Sequence, residues 1–108
     1  MKITNKSKFN FTENTENVDY TLNLGVLKKG SDTKAIINFQ DVNHLVVNKS
    51  CGCTLPTVEL LPEGGFNLCI EYDKNKVGVI SQAVWERVLI ETGEEKLITI
   101  HLKGTIVE

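Results

Sequence analysis

The residues best suited to chemistry in this chain are its sulfur and imidazole side chains. Cys51 and Cys53 are separated by one glycine in the stretch SCGCT, while Cys69, His44 and His101 lie in separate segments. In an extended chain, residues two apart point to the same side, so both thiols can reach one soft metal ion or one partner sulfur. A structural zinc site needs four ligands, and the other three candidates lack paired spacing. We therefore expect no metal site and no cofactor.

Nucleophilic catalysis is also disfavoured by the sequence. A reactive thiol needs a neighbouring base, and the base needs a group that orients it. His101 alternates with Thr99 and Lys103, which predicts a solvated strand face, and His44 is predicted to lie in a turn. With no base placed beside Cys51, we predict no catalytic residue and a protein that is not an enzyme.

We predict that the motif formed by Cys51, Gly52, Cys53 and Thr54 has a structural role, in which its small side chains pack where the chain turns. Cysteine behaves as a small hydrophobic residue that is often buried, and glycine lets the backbone pass close to a neighbouring strand. The threonine hydroxyl is expected to satisfy a local backbone group. One alternative stays open, in which the protein handles thiols or metals through Cys51 and Cys53.

Composition points to one ordinary folded domain. The chain has 108 residues, of which 41% are hydrophobic and 24% charged, so a packed core is possible without metals or disulfides. The net charge of −2 offers no basic footprint for nucleic acid. With no apolar leader or membrane-length run, we expect a virion or cytoplasmic location and no membrane partner, and hence free thiols.

Short runs of β-branched and aromatic residues, separated by Gly, Asp and Asn clusters, predict an all-β protein. The predicted strands are Lys2–Phe11, Val18–Leu24, Thr33–Phe39, Leu45–Val47, Gly65–Tyr72, Ser81–Glu91 and Lys96–Val107. Apolar and polar residues alternate most clearly in two of these strands, each of which should bury its apolar face. The apolar residues are Phe66, Leu68, Ile70 and Tyr72 in one strand, and Ile98, Ile100, Leu102 and Ile106 in the other.

About seven short strands with one polar face each fit an immunoglobulin-like β-sandwich of two antiparallel sheets. We assign residues 18–108 to this domain. Residues 1–17 are polar and form either an N-terminal arm, which orders on a neighbouring subunit, or an edge strand. A small barrel is the structural competitor.

Five pieces of the sequence together resemble a known family. They are LGVLKKG at 24–30, a strand that ends in Asn38 and Phe39, SCGCT at 50–54, LPEGG at 61–65 and LKGTIV at 102–107. Together they resemble a bacterial and phage domain of unknown function marked by a Cys-Gly-Cys-Thr signature, which is related to the Hydin-like and major-sperm-protein-like immunoglobulin-like domains. The resemblance spans roughly residues 20–107 and implies the same sandwich. Many family members carry export signals, and this chain begins without one.

The strand Ser81–Glu91 has apolar residues on both faces. Val84 and Val88 share one face, whereas Trp85, Arg87 and Leu89 share the other. A sandwich strand has one core face, so the second face needs a cover. We expect either the N-terminal segment or a partner protein to supply it, and Trp with Arg is a pairing enriched at interface hot spots.

These patterns predict a non-enzymatic structural protein or protein-binding module. We expect an auxiliary or decorating capsid protein of a virus or phage particle, where many small contacts add through multivalency. A capsid or other virion subunit is then the partner, and a homo-oligomer is compatible with the same surface. The alternative within this class is an intracellular bacterial adaptor or scaffold domain, the role that the Hydin-like relatives suggest.

Overall fold

Nine strands make up the protein in a computed structural model that describes all 108 residues. They are β1 Lys2–Asn5, β2 Asn10–Thr15, β3 Asp19–Lys28, β4 Ala35–Gln40, β5 Val42–Lys49, β6 Thr54–Leu60, β7 Phe66–Tyr72, β8 Gly78–Ile90 and β9 Glu95–Val107. The predicted all-β class is confirmed.

The strands form two sheets that pack face to face. Sheet A has the order β1-β4-β7-β6, and sheet B has the order β2-β3-β9-β8-β5. The predicted sandwich is thus confirmed, with two strands more than the pattern indicated. All pairings are antiparallel except that of β3 with β9, which run parallel in the middle of sheet B.

The core between the sheets consists of the inward side chains of both layers. Nineteen buried hydrophobic residues form one cluster, and both runs of clear alternation contribute all of their predicted members. Near its centre, the rings of Phe39 and Phe66 stack with centroids 4.6 Å apart. Burying one such side chain stabilises a fold by roughly 1.5–3 kcal/mol, so this cluster is what holds the layers together.

Two strand predictions were wrong around the middle of the chain. Asp41 alone forms the corner between β4 and β5, with φ at 63°, so β5 begins at Val42 and His44 lies in a strand rather than in a turn. The strand β6 was not predicted, because Pro56 argues against full ladder bonding. The structure accommodates Pro56 because β6 is the edge of sheet A.

The first fifteen residues form edge strands rather than a detached arm, and the single strand predicted over Lys2–Phe11 is in fact two strands, one in each sheet. β1 pairs with β4 at one edge of sheet A, and β2 pairs with β3 at one edge of sheet B. Phe9 is buried in the core, and Phe11 stacks on Tyr20 with centroids 4.8 Å apart. The segment therefore closes the β3–β4 side of the sandwich and lies far in the strand order from β8.

All regular elements of the protein are strands, so it contains no helix that is long and apolar enough to cross a membrane.

A close approach of two backbones occurs in the parallel pair. Gly104 of β9 has φ at 149°, and a Cβ there would lie 2.7 Å from the carbonyl oxygen of Gly25 in β3. The β3–β9 register shifts between Asn23 and Val26, beside this contact. Glycine is needed here because any side chain would push the strands apart.

We predict that Gly104→Ala lowers the free energy of unfolding by about 2–4 kcal/mol, since it adds both a backbone clash and a strained φ. Urea unfolding measures the change. Gly52→Ala is the matched control, because a Cβ at Gly52 meets nothing within 4 Å and its φ is ordinary. Equal stability of both variants would contradict the prediction.

Candidate functional site

The Cys-Gly-Cys motif lies where the chain crosses from one sheet to the other. β5 is the edge of sheet B and β6 the edge of sheet A, and residues 50–53 connect them. The Ser50 N–H donates to the Ala83 carbonyl at 3.0 Å, and the Asp73 N–H donates to the Cys53 carbonyl at 2.8 Å. Backbone hydrogen bonds therefore anchor this corner to both sheets.

Cys51 and Cys53 are joined by a disulfide, where free thiols were expected. Both residues are partly exposed, and the Cys53 N–H donates to Cys51 Sγ at 3.1 Å. A cross-link that closes a loop of about three residues removes little chain entropy, which corresponds to roughly 1.5 kcal/mol in the loop-entropy treatment. Since the backbone bonds already anchor the corner, the disulfide is a minor part of its stability.

Two details of the predicted packing role were wrong. Gly52 is exposed, and a Cβ there would contact nothing, so this glycine does not permit a close backbone approach. Thr54 is fully buried, but its hydroxyl lies 4.0 Å from the sulfur of Cys51 and 4.0 Å from that of Cys53 instead of pairing with a backbone group. The sulfurs therefore lie near two polar groups, the Cys53 N–H and the Thr54 hydroxyl.

The other candidate ligands lie apart from the disulfide. Cys69 is on the outer face of β7 in sheet A, and His101 is on the outer face of β9 in sheet B. His101 Nε2 lies 3.1 Å from Asp19 Oδ2; the hydrogen bond from Asn14, and then that of His101, lower the pKa of Asp19. No three ligand side chains converge on one point.

A buried carboxyl is the feature that the sequence analysis missed. Glu86 is fully buried on the inner face of β8, between Val84 and Val88. Its Oε1 lies 2.5 Å from His44 Nδ1, and its Oε2 has no hydrogen-bond partner. The signal was present in the alternation, because a residue two positions from each of two core valines must share their face.

Burial raises the pKa of Glu86 to about 7, and the hydrogen bond and charge of His44 offset this only in part. The cross-strand neighbours of Glu86 are Val47 and Ile98, and the His44 ring packs edge-on against Phe66. His44 is therefore the one charged or titratable group that acts on this carboxyl.

The pair is suited to holding a proton inside the sandwich. His44 keeps 22% of its side-chain surface exposed, whereas Glu86 has none. None of the surface grooves is lined by either residue. A substrate therefore has no route to the carboxyl, and exchange of a proton through His44 is the chemistry that this geometry supports.

The outer side of β8 carries the residues predicted to form an interface. Trp85 and Leu89 are partly exposed and Arg87 is exposed, all on the solvent side of sheet B. Arg87 lies between Val46 of β5 and Leu97 of β9, which are 45% and 44% exposed. We call these five residues the Trp85 face.

The N-terminal segment, which was one expected cover of this face, does not reach it. In sheet B, β2 lies at the edge opposite to β5, with β3 and β9 between β2 and β8. Arg87 takes part in none of the ion pairs of the chain, which join Lys8 to Asp32, His44 to Glu86 and His101 to Asp19. The Trp85 face is thus uncovered, with its cation unpaired.

We predict that stability falls as the pH rises from about 5 to about 8, because the folded protein retains a proton on Glu86 that the unfolded chain releases. The folded pKa of about 7 lies above the unfolded value of 4.5. The proton on Glu86 therefore stabilises the folded state fully below pH 4.5, and this stabilisation is lost as the pH rises through 7. Glu86→Gln should flatten this slope in urea unfolding, while Glu71→Gln, at an exposed position, should keep it. A Glu86→Gln variant with the wild-type slope would contradict this assignment.

In comparisons with known proteins, no family model, no curated protein and no solved structure matches this chain.

Proposed function

We propose that the protein is a non-enzymatic structural and protein-binding module whose binding surface is the Trp85 face. The observation that carries the proposal is that the apolar side chains of the Trp85 face, which surround Arg87 on the outer side of sheet B, are not covered by any other part of the chain. The inner face of the same strand is already packed in the core. An apolar outer face on a central part of a sheet is the usual mark of an interaction site.

The chemistry of the face defines its partner. Trp85 and Leu89 offer apolar area, and Arg87 offers an unpaired cation at its centre. Arginine recognises a carboxylate through two parallel hydrogen bonds. The partner is therefore a protein surface that is apolar and presents an Asp or Glu toward Arg87.

The setting that we propose is a virus or phage particle, with the module as an auxiliary or decorating subunit. A face with five main residues gives a small contact, and small contacts become useful when many copies bind one repeated surface. The resemblance to the bacterial and phage Cys-Gly-Cys-Thr domains also favours this setting. An adaptor role inside a bacterial cell would use the same face with one soluble partner.

Replacing Trp85 tests the proposal. When particles are purified from the source of the protein, we expect the wild-type protein to sediment with them in many copies. Trp85→Ala should lower the amount of protein bound to the particles at least about tenfold, as expected for a hot-spot residue. Arg87→Glu should have a similar effect, because it places a like charge against the partner's carboxylate.

Val79→Ala is the matched control, since Val79 is 78% exposed on β8, outside the Trp85 face. Urea unfolding should show that all three variants fold, because their side chains lie outside the core. Particle binding that is unchanged in both face variants would overturn the binding surface. Association of the wild-type protein with a soluble cell protein alone would overturn the particle setting and favour the adaptor.

A further inference from the structure

We propose that the Cys51–Cys53 disulfide is a thiol–disulfide exchange site that oxidises a pair of thiols in another polypeptide. The proposal is independent of the Trp85 face. It begins from two backbone hydrogen bonds, which tie Ser50 to β8 and Cys53 to Asp73 and anchor the corner in addition to the disulfide. A disulfide with a small structural role and two partly exposed cysteines is available for chemistry.

The groups around the sulfurs favour opening of the bond. The Cys53 N–H donates to Cys51 Sγ at 3.1 Å, and the hydroxyl of the fully buried Thr54 lies 4.0 Å from each sulfur. A hydrogen bond donated to sulfur stabilises its thiolate, and a more stable thiolate is a better leaving group. Cys51 is therefore the sulfur that leaves, and Cys53 is the one attacked.

Access to the corner is open on the side of the glycine. Gly52 is exposed, and a Cβ at this position would have no atom within 4 Å. Cys51 and Cys53 are each partly exposed, although Cys53 also packs against the core, so a flexible segment of a substrate protein can reach the sulfurs from the solvent side. Exchange depends on such access as well as on thiol acidity.

The reaction balances in two displacements. The first substrate thiolate attacks Cys53 Sγ, the sulfur–sulfur bond breaks, and its electron pair leaves with Cys51 as a thiolate. The second substrate thiolate then attacks the substrate sulfur of the mixed disulfide and displaces Cys53. The substrate gains a disulfide, two electrons pass to the protein, and the two substrate protons end on Cys51 and Cys53 through solvent.

The third cysteine provides an internal control. Cys69 lies on the outer face of β7 in the opposite sheet and is partly exposed, so it has similar access to solvent. No hydrogen bond is donated to its sulfur within the protein. After reduction of the protein, Cys51 should therefore be the more reactive thiolate at neutral pH.

The test uses the full chain and an unstructured peptide with two cysteines. After mild oxidation, mass spectrometry should place a disulfide between Cys51 and Cys53. The oxidised wild-type protein and Cys69→Ser should each convert about one peptide dithiol per chain to its disulfide, while the Cys51→Ser, Cys53→Ser double variant converts none. In the reduced protein, iodoacetamide should modify Cys51 at least about tenfold faster than Cys69.

Circular dichroism should show that the double variant keeps the strand content of the wild type, since the hydrogen bonds of the corner remain. If this variant does not fold, the alkylation rates in the reduced wild type decide the question on their own. Three results would overturn the proposal: failure of the disulfide to form, a disulfide that survives excess peptide dithiol in the native fold, or equal alkylation of Cys51 and Cys69.

Discussion

The register between β8 and β9 is the constraint on which the other features depend. The two strands are thirteen residues long and pair over twelve positions, from Gly78 opposite Ile106 to Leu89 opposite Glu95, and their inward side chains supply a large part of the core. A shift of one residue would turn every inward side chain of one strand outward. The burial of Val84 and Val88 thus fixes Trp85 and Arg87 outside, and it places Glu86 inside at the same time.

That coupling explains why a carboxyl is tolerated in the core. The position of Glu86 follows from its neighbours in the strand, and the cost of its burial is reduced by the hydrogen bond to His44 and by a raised pKa. A bulge in β5 shifts the β5–β8 register between His44 and Val46. Because of this extra residue, His44 and Val47 both face the core although they are three positions apart. The buried pair of His44 and Glu86 and the bulge in the edge strand β5 therefore belong to the same local arrangement.

The fold class followed from the sequence because alternation reports which face of a strand is buried. The inward positions of β7 and β9 and the outward position of Trp85 were all visible in this way. The middle of the chain was not, because one residue at positive φ, Asp41, replaced the expected turn, and Pro56 concealed an edge strand. The disulfide was unpredictable for a different reason, since two cysteines near each other in sequence do not reveal their oxidation state.

The parallel pairing of β3 with β9 has a mechanical consequence. If the two ends of the chain are pulled apart, β3 is drawn toward its start and β9 toward its end. Because the strands run in the same direction, these forces act oppositely along their shared length, from Asp19 and Thr99 to Lys28 and Val107. The hydrogen bonds between the two strands are then loaded together in shear instead of breaking one after another. This part of the sandwich should therefore resist tension after the two edge strands at the start of the chain have separated.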